Sequence, residues 1–312
     1  MHKMVNPQVS VGRFGVFGGL SFFDDGRAAA VEQLGYGAIW IPAVFDSGLA
    51  AIEMVLEQTT TIAVGSAVVN IWTAPANDVA HSFHRLEERF PGRFLLSIGA
   101  GHREHLGDHA QTPYQGVTAY LDTLTAVGVP KERIAVGALR TRMLTLAKNR
   151  AAGANPYLTT VEHTRFARSV LGDGVLLAPE RKVVFDTDPA AARDVARQTL
   201  AFYLNMSNYV NTLKQFGFPD LSTGDTADDV LVDALVSHGD PAAIAASVNQ
   251  YLAAGADHVA IQPLHADFDM GAIDPATIEA NHGRIPELAA VAPALIAGLA
   301  ELATALELTP PQ

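Results

Sequence analysis

Residues 59–102 decide the fold, and they read TTTIAVGSAVVNIWTAPANDVAHSFHRLEERFPGRFLLSIGAGH. A β-branched run from Thr59 to Trp72 predicts one strand, and an apolar run from Arg93 to Ile98 predicts another. Between them, Pro75 opens a segment with apolar residues at helical spacing. A connection of this length joins parallel strands and is too long for a hairpin. The stretch is therefore predicted to be a strand–helix–strand unit.

The second of these strands runs directly into Gly99-Ala100-Gly101-His102. A strand that is apolar throughout is typical of a sheet covered on both faces. Small residues just past the carboxyl end of a parallel strand let a ligand approach the backbone closely. This strand end is therefore predicted to border a binding site.

The same alternation of strand and helix signals continues along the whole chain. The predicted strands lie at 11–20, 38–42, 59–72, 93–98, 133–139, 154–158, 183–185 and 258–264. Helical segments follow them, and a longer, mostly helical insertion at 190–238 comes after the seventh strand. The pattern predicts an α/β fold, a (β/α)8 TIM barrel formed by residues 1–312 as a single domain. The alternative, an open doubly wound sheet, would require a Gly-x-Gly-x-x-Gly turn, which Gly15-Val16-Phe17-Gly18-Gly19 does not provide.

Composition narrows the classes of partner. The 312 residues carry a net charge of −12 without a basic stripe, which argues against nucleic acid and anionic membranes. The chain has no cysteine, so disulfides and thiolate chemistry are excluded. The N-terminus lacks an apolar signal-peptide core, and the uncharged run from Leu288 to Ala300 is too short to span a bilayer. We therefore expect a cytoplasmic protein that acts on a small molecule.

Histidines offer one route to chemistry. His102, His105 and His109 are spaced so that one helical face could present them to a metal ion, as in a metallohydrolase. The competing interpretation is a polar, solvated loop, since no acidic cluster at a strand end completes such a site. His84 is expected on a buried helix face, and His265 follows strand eight at the end of the barrel where sites occur.

Other catalytic signatures are missing from the sequence. It contains no Gly-x-Ser-x-Gly nucleophile turn and no Walker loop. The groups expected at strand ends are mostly apolar or neutral, among them Trp40, Pro42, Asn70 and Trp72. A pocket so poor in acids and bases suits a flat aromatic cofactor that carries the chemistry itself.

Several segments resemble the bacterial-luciferase-like superfamily. Asn70-Ile71 and Pro91-Gly92-Arg93-Phe94 match its strand-three to strand-four signature. The segment 137–144, GALRTRML, resembles its strand-five phosphate-binding turn. The segments ANPYL at 154–158, LAPE at 177–180 and AGADHV at 254–259 are similar to one subgroup of coenzyme F420-dependent oxidoreductases.

The resemblance implies an oxidoreductase that transfers a hydride between the deazaflavin coenzyme F420 and a small organic substrate. The alternatives are a reduced-FMN-dependent monooxygenase and a non-catalytic flavin-binding relative. The cofactor ring is expected near Ala67, Val68, Asn70 and Ala100, and the phosphate near Leu139, Arg140 and Thr141. The resemblance further implies a non-proline cis peptide at Ala67–Val68 and a homodimer formed through the helices at 49–58 and 78–89.

The chain departs from the family pattern at two strand ends. Pro42-Ala43 stands where several deazaflavin enzymes carry an Asp-His pair, so no catalytic residue is assigned. Arg140-Thr141 stands in place of the usual Gly-Pro at strand five, and an arginine there is able to pair with a phosphate.

Overall fold

A computed structural model describes residues 8–107, 111–269 and 284–311. Its strands are β1 (Phe14–Phe17), β2 (Ala38–Ile41), β3 (Ala63–Ser66), β4 (Val69–Asn70), β5 (Phe94–Gly99), β6 (Ile134–Val136), β7 (Gly153–Ala154), β8 (Leu176–Leu177), β9 (Glu180–Val184), β10 (Val236–His238) and β11 (Val259–Pro263). All their pairings are parallel, as the crossover connections predicted. β3 with β4 and β8 with β9 are each one barrel strand with a short interruption.

Helices connect these strands. They are α1 (Leu20–Phe23), α2 (Arg27–Gln33), α3 (Ala50–Glu57), α4 (Ala76–Arg89), α5 (Arg103–Leu106), α6 (Pro113–Ala126), α7 (Thr141–Arg150), α8 (Val161–Leu171), α9 (Pro189–Tyr203), α10 (Ser207–Leu213), α11 (Asp229–Leu235), α12 (Pro241–Ala253) and α13 (Pro286–Ala305). A 3₁₀ turn at Lys131–Arg133 precedes β6.

The sheet closes at the seventh barrel strand, which consists of β8 and β9. On one side, the N–H of Ala178 donates to the carbonyl oxygen of Ala154 at 2.9 Å. On the other side, the carbonyl oxygen of Pro179 accepts from the N–H of Ala260 at 2.9 Å. This strand is thereby bonded to the sixth and the eighth strands at once, and the predicted TIM barrel is confirmed.

The predicted insertion after strand seven is also present. Asp188 caps α9 by accepting the N–H of Ala190 at 2.9 Å, as an Asp-Pro start predicts. The insertion ends in β10, which was not predicted. Val236 and Ser237 pair there with Lys182 and Val183, so the returning chain adds a short strand beside β9.

One further segment differs from expectation. The polar stretch after β5 was predicted to be a loop, but it contains the single helical turn α5. The apolar tail forms the 20-residue helix α13, which by length and composition alone is long enough to cross a membrane. In this fold Leu288, Leu295 and Leu299 of α13 are buried in the hydrophobic core, and the Tyr36 hydroxyl donates to the Leu299 carbonyl at 2.9 Å. The helix is thus part of the barrel's outer layer.

The floor of the barrel is sealed by a buried Trp–His pair. The Trp40 indole N–H donates to Nε2 of His258 at 2.9 Å, and Nδ1 of His258 donates to the Gly12 carbonyl at 2.9 Å. These bonds assign the proton of a neutral imidazole to Nδ1. Glycine makes room for both rings, because a Cβ at Gly15 would lie 2.8 Å from His258 and one at Gly65 2.6 Å from Trp40.

The loop that leads into β3 is anchored by a buried carboxylate. Glu32 accepts the backbone N–H groups of Thr60 at 3.0 Å and Ile62 at 2.8 Å, and it also accepts the N–H of Thr61. Burial by itself would raise the pKa of Glu32, but the three backbone hydrogen bonds outweigh it and lower the pKa to about 2. This contact fixes the start of the strand that carries the predicted site.

Replacing Glu32 tests this anchor. Because its pKa is depressed in the fold, its contribution is complete above the ordinary value of 4.5 and is lost as the pH falls towards 2. We expect Glu32→Gln to lower the free energy of unfolding by about 1–3 kcal/mol at pH 7. The difference in the free energy of unfolding between wild type and Glu32→Gln should become smaller as the pH is lowered, as measured by urea unfolding. Glu57→Gln, which removes an exposed ion pair with Arg89, is the matched control and should cost about 1 kcal/mol or less.

Acid should also act through His258. Burial lowers the pKa of this imidazole to about 4, so the unfolded chain binds more protons between pH 6.5 and 4. Its contribution is therefore complete above pH 6.5 and falls by about 3 kcal/mol as the pH drops to 4. In urea unfolding measured at a series of pH values, the free energy of unfolding should fall less steeply with decreasing pH for His258→Gln than for the surface control His84→Gln. Equal slopes for the two variants would contradict this account.

Candidate functional site

The interrupted third strand forms a bulge at the barrel mouth. The Ala67–Val68 peptide between β3 and β4 is cis, as predicted. Both residues are half-buried, and the Val68 side chain faces the ends of the next two barrel strands. A Cβ at Gly99 would lie 2.7 Å from Val68, and one at Gly137 would lie 3.2 Å from it. Glycine at these strand ends therefore lets the bulge pack against its neighbours.

Trp72 holds two of the predicted cofactor residues. Its backbone N–H donates to Oδ1 of Asn70 at 2.9 Å, and its indole N–H donates to the Ala100 carbonyl at 2.8 Å. Those two oxygens thus already accept hydrogen bonds from Trp72, in the turn after β4. Asn70 is buried and Ala100 is half-buried, so the surface that this strand end leaves to a ligand belongs mainly to Ala100, which suits a ring lying flat rather than a hydrogen-bonded group.

The fifth strand end leads into α7 as the sequence predicted. Arg140 is the N-cap residue, and Thr141 is the first helical residue. The first N–H groups of a helix have no partner within it, so this turn offers donors to an anion. Nε2 of the buried His163 lies 2.6 Å from the Leu139 carbonyl and donates its proton there. Burial lowers the pKa of His163 to about 4, which keeps the ring neutral while it holds that carbonyl away from the turn's donors.

Two contacts bring α10 across the mouth. The N–H and hydroxyl of Ser207 donate to Glu104 after β5, at 2.9 and 2.6 Å. The Arg140 guanidinium donates to Oδ1 of Asn208. The helix is therefore tied to the ends of the fourth and fifth barrel strands, next to the residues predicted for the cofactor.

A polar cluster inside the mouth was not predicted from the sequence. Lys182 on β9 is completely buried, and its ammonium lies 3.1 Å from Oε1 of Glu180. It also lies 3.9 Å from the centre of the Tyr157 ring. The Tyr157 hydroxyl oxygen is 2.6 Å from the hydroxyl of Tyr203 and 2.9 Å from Oε1 of Gln262. The available signal was a lysine directly before the predicted strand at 183–185, because a charge that enters a buried strand requires a partner.

The histidines whose side chains the structure describes make separate contacts. His102 packs its ring against Tyr209, with 4.6 Å between ring centres. His109 lies outside the described residues, and nothing in the described ranges groups three potential metal ligands. Nδ1 of His265 accepts the Asp267 N–H beyond β11. The prediction for His84 was wrong, since it lies at the flank of the apolar stripe of α4, is exposed, and meets the Val127 carbonyl at 3.0 Å.

Comparison with known proteins shows which family part of the chain resembles. Residues 26–127, which run from α2 to the end of α6, match the family model described as luciferase-like monooxygenase. No curated protein matches the chain.

Solved structures share the fold over nearly the whole chain. An F420-dependent secondary alcohol dehydrogenase in complex with an F420–acetone adduct is 13% identical, with a TM-score of 0.64 over 81% of this chain and 93% of that one. The coenzyme F420-dependent tetrahydromethanopterin reductase from Methanopyrus kandleri is 15% identical, with a TM-score of 0.62 over 93% and 99%. The FMN-bound oxygenating constituent of 3,6-diketocamphane monooxygenase from Pseudomonas putida is 14% identical, with a TM-score of 0.58 over 92% and 98%.

At such low identities these likenesses establish the barrel and leave the cofactor open between a deazaflavin and a flavin. The family model matches about a third of the chain, and together with the shared barrel it supports a resemblance to the luciferase-like superfamily, whose members are oxidoreductases and monooxygenases.

Proposed function

We propose that the chain is an oxidoreductase that binds coenzyme F420 at the barrel mouth and transfers a hydride between it and a small organic substrate. The observation that carries this proposal is the half-buried Ala67–Val68 bulge, which packs through Val68 against Gly99 and Gly137. Gly137 lies just before the turn at which α7 begins. The flat surface of the bulge is therefore next to the backbone N–H groups of that turn, which could bind an anion.

The residues present fit such a cofactor. The ring would lie near Ala67, Val68, Asn70 and Ala100, of which all but the buried Asn70 are half-buried apolar residues. A phosphate would meet the turn at Leu139–Thr141. When bound, the deazaflavin would donate or accept the hydride. The protein's own part is to hold the ring flat, to bind the phosphate and to keep water out beneath α10.

Reduced FMN is the second candidate cofactor, in a monooxygenase. The FMN-bound Pseudomonas putida structure has the same barrel, and a flavin also presents a flat ring and a phosphate. Pro42 and Ala43 after β2 offer neither ring chemistry an acid or a base. A flavin-binding relative without catalysis is the remaining alternative, and turnover separates it from both enzymes.

Arg140 provides the test of the cofactor proposal. A bound phosphate would replace Asn208 as the partner of the guanidinium, and a charge-assisted contact is worth about 1.5–3 kcal/mol. We expect Arg140→Ala to weaken F420 binding roughly tenfold or more, as measured by fluorescence quenching. Arg150→Ala is the matched control, because it removes the same charge from the other end of α7, where Arg150 pairs with Asp122.

The possible outcomes separate the claims. Tight FMN binding without F420 binding would replace the cofactor and leave the fold intact. Failure to bind either would remove the oxidoreductase proposal. Equal losses for Arg140→Ala and Arg150→Ala would show general electrostatics instead of a phosphate contact.

We also propose a cytoplasmic homodimer formed through α3 and α4. These helices are linked by ion pairs from Arg85 and Arg89 to Glu53, which leave a charged ridge between them. Phe45, just before α3, is half exposed and is the apolar group that a second copy would cover.

Sedimentation tests the dimer. We expect a dimer for the wild type at micromolar concentration and a shift towards monomer for Phe45→Asp, because a buried interface excludes an unpaired carboxylate. Val230→Asp changes a more exposed apolar residue on α11 and is the control. A wild type that sediments only as a monomer would refute the proposal.

A further inference from the structure

The polar cluster in the barrel mouth has no part in the cofactor site outlined above. Its centre is Tyr157, which follows β7. This residue packs against two groups of buried apolar side chains, one inside the barrel and one that includes residues of the insertion. Its hydroxyl meets Tyr203 from α9 and Gln262 from β11, residues that are 46 and 105 positions away in sequence. Three distant segments thus bring two phenols and an amide to one point.

A ligand can reach only part of this cluster. Tyr157, Tyr203 and Gln262 are half-buried, whereas the side chains of Lys182 and Glu180 are exposed by 0% and 4%. The ammonium of Lys182 lies beneath the faces of the Tyr157 and Tyr203 rings, 3.9 and 4.8 Å from their centres. Within this cluster, the surface open to a ligand therefore belongs to Tyr157, Tyr203 and Gln262 and not to the ion pair.

The ion pair beneath serves to position Tyr157. Glu180 takes the Lys182 ammonium on Oε1 and the backbone N–H of Leu158 on Oε2, at 3.1 and 3.2 Å. Leu158 directly follows Tyr157 and has a φ of 55°. The carboxylate thus fixes the backbone next to the phenol, while the ammonium supports the ring from below.

Charge indicates the class of molecule that this cluster accepts. The buried lysine is already compensated by Glu180, and the phenols and the amide are neutral. A carboxylate or phosphate entering here would be a second buried negative charge without a partner, which is costly. A neutral molecule with a carbonyl or hydroxyl oxygen would exchange hydrogen bonds without adding charge.

The count of protons makes Tyr157 the donor. Its single hydrogen cannot serve both neighbours, so Tyr203 donates to the Tyr157 oxygen while Tyr157 donates to Gln262. Burial raises the pKa of Tyr157 above its ordinary range and that of Tyr203 to about 12, so both phenols carry protons at neutral pH. A substrate oxygen beside Gln262 would accept the Tyr157 proton in place of the amide oxygen.

Aromatic rings complete the surroundings of that hydroxyl. The rings of Phe17 and Tyr209 lie 5.3 and 5.9 Å from the Tyr157 ring, centre to centre. They form an apolar wall around one polar point, which is the usual design of a small-molecule pocket.

We propose that Tyr157 is a catalytic residue that binds and protonates the oxygen of a neutral ketone or aldehyde substrate, with Gln262 and Tyr203 as its hydrogen-bonding partners. This assignment rests on the proposed function, from which the two-electron hydride donor comes. As the carbonyl carbon gains the hydride, its oxygen takes the Tyr157 proton, so that a phenol O–H breaks and an alcohol O–H forms. Tyr157 then recovers a proton from Tyr203, which recovers its own from water.

Infrared difference spectroscopy tests the binding claim without any cofactor. The probes are cyclohexanone, acetophenone and 2-butanone, each labelled with ¹³C at the carbonyl. We expect the carbonyl band of at least one ketone to shift to lower frequency on the wild type and to lose that shift on Tyr157→Phe. The absence of a shifted band for all three ketones on the wild type would overturn the proposal.

Kinetics test the catalytic claim on the protein loaded with reduced F420. Loss of a positioned proton donor should lower kcat/KM for the ketone by about 100-fold or more in Tyr157→Phe. The Kd for F420 should stay within about twofold of the wild type, which a misfolded variant would not preserve. Tyr114→Phe removes a phenol from α6, where the ring stacks under Arg142, and should keep wild-type activity. Wild-type kcat/KM in Tyr157→Phe would refute the assignment.

A charge comparison completes the test. Cyclohexanecarboxylate should bind the wild type at least tenfold more weakly than cyclohexanone, and the reverse order would overturn the assigned substrate class. If neither F420 nor FMN binds, the proposed function fails, while the ketone band still decides whether Tyr157 holds a neutral carbonyl.

Discussion

Two-sided hydrogen bonding of residues 176–184 is the constraint on which the rest of the structure depends. Because this strand bonds to the sixth strand through Ala178 and to the eighth through Pro179, it must lie between them. Alternate side chains along it then point into the barrel, and Glu180 and Lys182 are thereby committed to the interior. Because neither charge can reach solvent, each needs the other as its partner. The resulting ion pair determines the position of Tyr157.

A second principle is the pairing of large side chains with glycine. Trp40 occupies the space that a Cβ would fill at Gly65, Val68 that at Gly99, and Trp72 that at Gly116. The last case is severe, since the missing Cβ would lie 2.2 Å from the indole. Close packing of this kind leaves little free volume, so the glycines are required by their neighbours and not by backbone conformation.

Much of this architecture could be predicted from the chain alone. The period of the apolar pattern gave the parallel strands, and short-range signals such as Asp188-Pro189 gave helix starts to within a residue. The turn from Leu139 to Thr141 was found because it is contiguous. Resemblance, and not pattern, located the Ala67–Val68 bond. The expected roles of Ala67, Val68, Asn70, Ala100, Leu139, Arg140 and Thr141 in cofactor binding stay predictions.

What the sequence concealed was interaction at long range. Tyr157 and Gln262 are 105 positions apart, and nothing near either residue in sequence reveals the other. Periodicity also failed at the margins of elements. His84 sits one residue past the centre of an apolar stripe, where a small rotation of α4 decides between core and water, and β10 is too short for any alternation to show.

The attachment of α10 couples two neighbouring strand ends to each other. Glu104 and Arg140 hold this helix from two different strand ends, through Ser207 and Asn208. Ser207 and Asn208 are adjacent in sequence, so the two strand ends are linked through a single turn of helix. A substitution that breaks one contact leaves this turn held from one side only, so the two contacts are expected to stabilise α10 cooperatively.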